Sequence, residues 1–140
     1  MNKFMLQNPD EQYHHQYNLV YSTKYHIIFT PKYRRKVLAN GVDEYLKQLI
    51  LEKQEEYDYR VVQMEVMPDH VHLLLDLNPK SAPYAIVKKI KGYTSRAIRD
   101  KFPEIDRKLP SLWTRSSFIA SVGAVSLEIV KQYIENQKGV

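Results

Sequence analysis

Hydrophobic and polar positions along this chain repeat with two different periods, and the changes of period divide it into elements. Residues 1–16, MNKFMLQNPDEQYHHQ, follow neither period, so a flexible, loosely docked arm is expected there, with His14 and His15 solvated. From Tyr17 to Thr30 the chain is aromatic and β-branched, which predicts a strand ended by Pro31. Val42, Tyr45, Leu46, Leu49 and Ile50 form the stripe of an amphipathic helix reaching Tyr57. Residues 59–67 read as a strand again, Met67-Pro68-Asp69 as a tight turn, and His70-Val71-His72-Leu73-Leu74-Leu75-Asp76 as the next strand. Ser81 is the expected N-cap of a helix over residues 82–101 that buries Ile86, Val87, Ile90, Tyr93, Ala97 and Ile98. Pro103 and Pro110 should bracket a loop, residues 112–122 should form a last strand, and residues 126–137 a further helix.

Strand, helix, strand, strand, helix, strand is the order of a ferredoxin-like or RRM-like α+β domain. It predicts a four-stranded antiparallel sheet with two helices on one face and its first and third strands central. The domain is expected over residues 17–140, with the C-terminal helix added to it. The third strand carries His70 and His72, and strand alternation sends both to one face with Cα atoms roughly 6.6 Å apart. Val71, Leu73 and Leu75 occupy the other face and suit a core. Two neutral imidazoles on the open face can hold a metal ion, provided that an oxygen donor and an anionic substrate complete the site.

Composition narrows the partners. The chain has 140 residues, enough for one domain, and carries 21 Lys+Arg against 16 Asp+Glu, a net charge of +5 that favours an anionic partner. Zero Cys excludes disulfides, thiolate zinc sites and cysteine nucleophiles. The polar start and the lack of a long apolar run predict a cytoplasmic protein with no membrane association. No carboxylate cluster has metal spacing, which argues against a two-metal nuclease.

Lys32-Tyr33-Arg34-Arg35-Lys36 interleaves one aromatic with four cations, a pattern suited to a phosphate backbone and a stacked base. Lys88, Lys89, Lys91, Arg96, Arg99 and Lys101 give the second helix a further basic surface. Tyr133 and Gln137, four residues apart, share a face of the last helix.

Five segments in order, YHIIFTPKYRRKVL, MPDHVHLLL, IVKKIKGYTSRAIR, LWTRSSFIASVG and IVKQYIENQ, carry a family resemblance. They resemble the single-tyrosine HUH transposases of the insertion sequence 200/605 group, which includes the REP-associated tyrosine transposases. The resemblance spans residues 17–137, with Val71 as the bulky apolar residue between the histidines. Ser117-Phe118 stands where that group would have glycine followed by an aromatic.

The resemblance implies roles residue by residue. His70, His72 and Gln137 match the metal ligands, for Mg²⁺ or Mn²⁺, and Tyr133 matches the nucleophile. It implies a prokaryotic, nucleoid-associated enzyme that cuts single-stranded DNA at hairpin-bearing element ends, forms a 5′-phosphotyrosine, and rejoins strands without a nucleotide cofactor. It also implies a homodimer whose active sites combine the histidines of one subunit with the tyrosine helix of the other. The chemistry is coherent: a divalent ion offsets phosphodiester charge, and a covalent phosphotyrosine conserves the cut bond for rejoining. Two other readings stay open: a domesticated relative nicking a chromosomal hairpin repeat, and a non-catalytic RRM-like module that binds RNA or DNA.

Overall fold

The computed structural model describes residues 14–16, 19–21, 23–122 and 127–139, with side chains from 23 to 122 and from 128 to 139. The remainder of the expected arm, the linker at Gly123 and the expected helix start at Ser126 lie outside the described residues. Within the arm, β1 (His14–Gln16) pairs antiparallel with β2 (Leu19–Tyr21). The strand expected over 17–30 is therefore divided, its second part being β3 (Lys24–Phe29).

β3 is followed by a 3₁₀ turn (Lys32–Arg34), α1 (Val42–Glu52) and the single turn α2 (Gln54–Tyr57). The one helix expected over 42–57 is broken at Lys53, and Asp58 takes left-handed backbone at φ 58° to turn the chain into β4 (Tyr59–Met67). Gly41, at φ 98°, starts α1 from a conformation that costs glycine little. β5 (His70–Leu77) completes the hairpin, and α3 (Pro83–Lys101) follows. Ala82, not Ser81, occupies the N-cap, because Pro83 with its fixed φ sets the first helical residue. Pro103 does the same for α4 (Pro103–Lys108), so the segment expected as a loop is partly helical. Regular pairing of the last strand, β6 (Phe118–Ser121), is shorter than expected, and α5 (Leu127–Glu135) ends the fold.

The larger sheet has the order β4-β5-β3-β6, every pair antiparallel, with β3 and β5 central as the sequence predicts. Ile27, Phe29, Val71, Leu73 and Leu75 project from the central strands into a core closed by Leu46, Leu49 and Ile50 of α1 and Ile86, Val87, Ile90 and Ile98 of α3. Each such side chain contributes about 1.5–3 kcal/mol by leaving water. In α3, Thr94 is buried where Tyr93 and Ala97 are only partly so, and its hydroxyl accepts from Trp113 Nε1 at 3.1 Å. Trp113 also meets Phe29 edge-on at 4.7 Å, which anchors the approach to β6. Among the described residues no helix is long and apolar enough to cross a membrane.

Candidate active site

Directly paired residues of antiparallel strands point to the same side, so the register arranges the sheet face opposite α1 and α3 in rows. One row runs Glu65, His72, Ile28, Phe118 across β4, β5, β3 and β6. The next runs Gln63, Leu74, His26, Ala120, while His70 pairs with Met67 at the hairpin end. His70 and His72 thus share the face expected of them.

This face is not left open. Ile28 is completely buried although it points away from the core, and Val130 and Ile134 of α5 line a groove with His72 and Leu74 of the same face. The Tyr133 ring rests against Phe118, their centroids 5.2 Å apart, and its hydroxyl is 3.4 Å from Ser116 Oγ. Ser116 donates to Gln137 Oε1 at 3.0 Å, and Gln137 is buried. Phe118 and His72 lie two strand spacings apart in one row, about 10 Å at the backbone.

Tyr133 and Gln137 therefore come together at Ser116, on the β6 side. His70 and His72 line a groove of ≈ 1000 Å³ on the β4–β5 side, with Glu65, Leu74, Val130, Ile134 and Asn136. Neither Tyr133 nor Gln137 lines this groove. Burial raises the Tyr133 phenol above its ordinary value, and the contact with Ser116 opposes that shift.

The two histidines are held differently. His70 Nδ1 stands 2.9 Å from Asp69 Oδ1, and the other carboxylate oxygen accepts from Arg34 Nε at 2.8 Å. A carboxylate only accepts, so His70 Nδ1 carries the proton and its Nε2 lone pair is available to a metal. Burial alone would raise the Asp69 carboxyl; hydrogen bonds from His70 and Arg34 and the Arg34 charge outweigh it and hold the group below its ordinary range.

His72 Nε2 lies 3.1 Å from His26 Nδ1, a partner the sequence analysis did not single out. Burial lowers both imidazoles, and for His72 the neighbouring His26 lowers it further while Glu65 opposes. Neutral rings are the form that metal ligation requires. Among the described residues no three or more His, Asp or Glu side chains are grouped to hold a metal. The donors that line the groove are two imidazoles and side-chain amides such as that of Asn136, which suit a divalent ion completed by a phosphate, while the amide oxygen of Gln137 is held at Ser116.

The basic residues divide. Tyr33, Arg35 and Lys36 are exposed, and Lys32 lies 5.2 Å from the Tyr33 ring. Arg34 is instead turned inward against Asp69, at 15% exposure. Lys88, Lys89 and Arg96 are exposed on the outer side of α3, across the sheet from the histidines. Arg99 is paired with Asp106 at 2.6 Å. Lys91 is enclosed, donating to Thr114 O at 2.7 Å, Ser116 O at 3.0 Å and Ser117 Oγ at 2.9 Å. Arg34 and Lys91, read in the sequence as DNA-contacting cations, are occupied within the fold, Arg34 by Asp69 and the Ile134 carbonyl and Lys91 by three acceptors of the 114–117 segment.

Comparison with known proteins agrees with this architecture. The family described as transposase IS200 like matches residues 19–137. The ISDra2 transposase TnpA of Deinococcus radiodurans is 38% identical over 120 residues, covering 84% of this chain and 86% of that protein. The transposase for insertion sequence element IS200 of Salmonella typhimurium is 28% identical over 119 residues, covering 84% and 78%. A crystal structure of a Deinococcus radiodurans protein described as a transposase superposes with a TM-score of 0.80 at 34% identity, covering 89% of this chain and 98% of that one. A REP-associated tyrosine transposase bound to a REP hairpin shares the fold alone, with a TM-score of 0.56 at 13% identity, 81% of this chain and 62% of that chain being covered. Because the family match runs from β2 through the paired histidines to Gln137, this chain belongs to the IS200-like transposases.

Proposed function

We propose that this transposase cleaves and rejoins single-stranded DNA at hairpin-bearing element ends, with Tyr133 as nucleophile and His70, His72 and Gln137 as ligands of Mg²⁺ or Mn²⁺. The observation that carries the reading is the placement of Tyr133 on Phe118, in the same row of one sheet face as His72. A bound divalent ion would supply charge neutralisation and orientation of the scissile phosphate.

The Tyr133 oxygen attacks phosphorus, a P–O bond to tyrosine forms, and the P–O bond to the upstream sugar breaks. The released 3′ oxygen leaves as a hydroxyl, taking up a proton in place of the one that the phenol loses to solvent. Attack by a 3′-hydroxyl on the phosphotyrosine reverses these changes and rejoins a strand, so no external energy source enters. Asp69 keeps His70 in the tautomer with Nε2 free, and His26 orients His72. To act at the histidine groove, Tyr133 and Gln137 leave Ser116, whether α5 is seated on its own chain or exchanged between two chains in a dimer. Arg35, Lys36 and Tyr33 are the exposed residues that would track the DNA backbone and stack a base.

A non-catalytic RRM-like module needs an open sheet face with stacking aromatics. Here that face holds histidines and a fully buried Ile28, and its Phe118 is covered by Tyr133 of α5, which weighs against it. The test is incubation with single-stranded hairpin DNA and Mg²⁺ or Mn²⁺. A covalent adduct bearing a 5′-phosphate on the Tyr133 peptide is expected, and binding without cleavage under every metal would overturn the proposal.

A further inference from the structure

We propose that Arg34 is a positioning residue that clamps the C-terminal end of α5 to the metal-ligating turn, so that seating the tyrosine helix and orienting His70 are one event. The inference rests on the assignment of His70 and Tyr133 above, and goes beyond it by naming what joins them.

Three contacts converge on one guanidinium. Nε donates to Asp69 Oδ2 at 2.8 Å, and Nη1 donates to Ile134 O at 3.1 Å and faces Glu135 Oε2 at 3.5 Å. The second Asp69 oxygen binds His70 Nδ1 at 2.9 Å, so a single carboxylate is shared between guanidinium and imidazole. Arg34, Asp69 and His70 are 15%, 13% and 16% exposed, which spares these bonds much of the competition from water. The same loop is tied to the turn by the backbone, Leu38 N donating to Pro68 O at 3.0 Å.

On the helix side, Arg34 meets the end where carbonyls lack intrahelical donors and the dipole is negative, the favourable place for a cation. Ile134 O already accepts from Gln137 N at 3.2 Å, and the guanidinium uses the remaining acceptor capacity of that carbonyl. Only a forked, planar cation can serve a carboxylate and a helix end together; a lysine ammonium, on a flexible stem, offers one point of attachment. Ile134 lies next to Tyr133 in the chain, so the clamp acts within one residue of the nucleophile. When α5 withdraws, Arg34 loses its helix-side anchor, which frees the guanidinium to leave Asp69 and so relaxes the constraint on the His70 ring.

The experiment uses the full chain with Arg34→Ala and the conservative Arg34→Lys. Hydrogen exchange of the amides in residues 127–139 and the nitrogen chemical shifts of His70 are measured without metal. Mn²⁺ affinity is read by electron paramagnetic resonance, and hairpin binding in chelator is followed as a function of salt. Both variants should speed exchange of the helix, shift His70 toward a mixture of tautomers and weaken Mn²⁺ binding about 10–100-fold, the usual effect of losing an outer partner of a ligand. Hairpin affinity in chelator should stay within about twofold, with its salt slope unchanged, because no phosphate contact is lost.

Hairpin binding weakened together with a salt slope lower by about one would make Arg34 a phosphate contact and overturn the clamp. Unchanged helix exchange and His70 signals would overturn it equally. If the wild-type chain takes up no Mn²⁺, the metal assignment fails, while the clamp is still decided by exchange and the His70 signals.

Discussion

His26 Nδ1 and His72 Nε2 face each other at 3.1 Å, with ring centroids 5.4 Å apart and planes inclined by 40°. The two residues come from adjacent central strands and sit one row apart, so the contact exists only because the β3–β5 register pairs Ile28 with His72 and His26 with Leu74. One of the two nitrogens must donate and the other accept, which fixes the tilt of the His72 ring. We therefore expect His26→Ala to leave the fold intact and to weaken Mn²⁺ binding about 10-fold or more, as loss of a partner that orients a ligand does. Wild-type Mn²⁺ affinity in this variant, measured by calorimetry, would reduce the pair to packing.

Tyr133→Phe removes one hydroxyl whose single described contact, to Ser116, is long at 3.4 Å. The ring, which carries the packing against Phe118, remains. Stability should change by no more than about 1 kcal/mol, the net worth of an ordinary hydrogen bond. Nicking and the covalent adduct should disappear while hairpin affinity persists. Residual adduct on another tyrosine, located by mass spectrometry, would reassign the nucleophile.

Strand alternation made the sheet readable from sequence. Tyr59–Met67 and the histidine strand are found where the pattern put them, because one side of each is committed to the core. Proline was ambiguous: at 83 and 103 it starts a helix, which a loop reading of Pro103 misses. The roles of individual cations were hidden for a different reason. In the sequence Arg34 and Arg35 are equivalent, and only the turn at Asp69 and the end of α5 distinguish them. His26 could be assigned to the open face from its alternation with Tyr25 and Ile27, yet its contact with His72 required the register between strands distant in sequence. The docking of Tyr133 and Gln137 on Ser116 is likewise a contact between distant segments that no local pattern encodes.

Ser116 holds the amide of Gln137 in a buried position. Ser116→Ala leaves that carbonyl without its donor, at an expected cost of about 1–3 kcal/mol in urea unfolding. If Tyr133 and Gln137 must leave Ser116 to react, single-turnover adduct formation should be no slower in this variant. A slower reaction in folded protein would mean that Ser116 assists the phenol.

Lys91 gathers the 114–117 loop through three acceptors while burial pulls its ammonium down to about 8. An unfolded lysine titrates near 10.4, so between about pH 8 and 10 the unfolded chain holds a proton that the folded chain has released. Stability then rises with pH in that window, the penalty on the buried charge being complete below pH 8 and relieved above it. Relative to Lys91→Met, the wild type should gain stability from pH 8 to 10 in urea titrations. A difference between the two that stays constant with pH would show Lys91 titrating as an ordinary lysine.

Two places on the rest of the chain hold α5 and the turn after it, Ser116 for Tyr133 and Gln137, and Arg34 for the end of the helix. Both sockets lie on the sheet domain and would accept the same helix from a second copy of the chain, which is the geometry an exchanged dimer needs. His70→Ala lacks a proposed ligand and Tyr133→Phe lacks the nucleophile, so each alone should be inactive. In a mixed dimer with exchanged helices, one of the two sites would combine an intact histidine pair with an intact tyrosine, restoring up to roughly half of wild-type nicking on symmetry grounds. Recovery of cleavage after mixing, with heterodimers verified by native mass spectrometry, is the expected result. Verified heterodimers that fail to cleave would place the histidines and the tyrosine of each working site in a single chain.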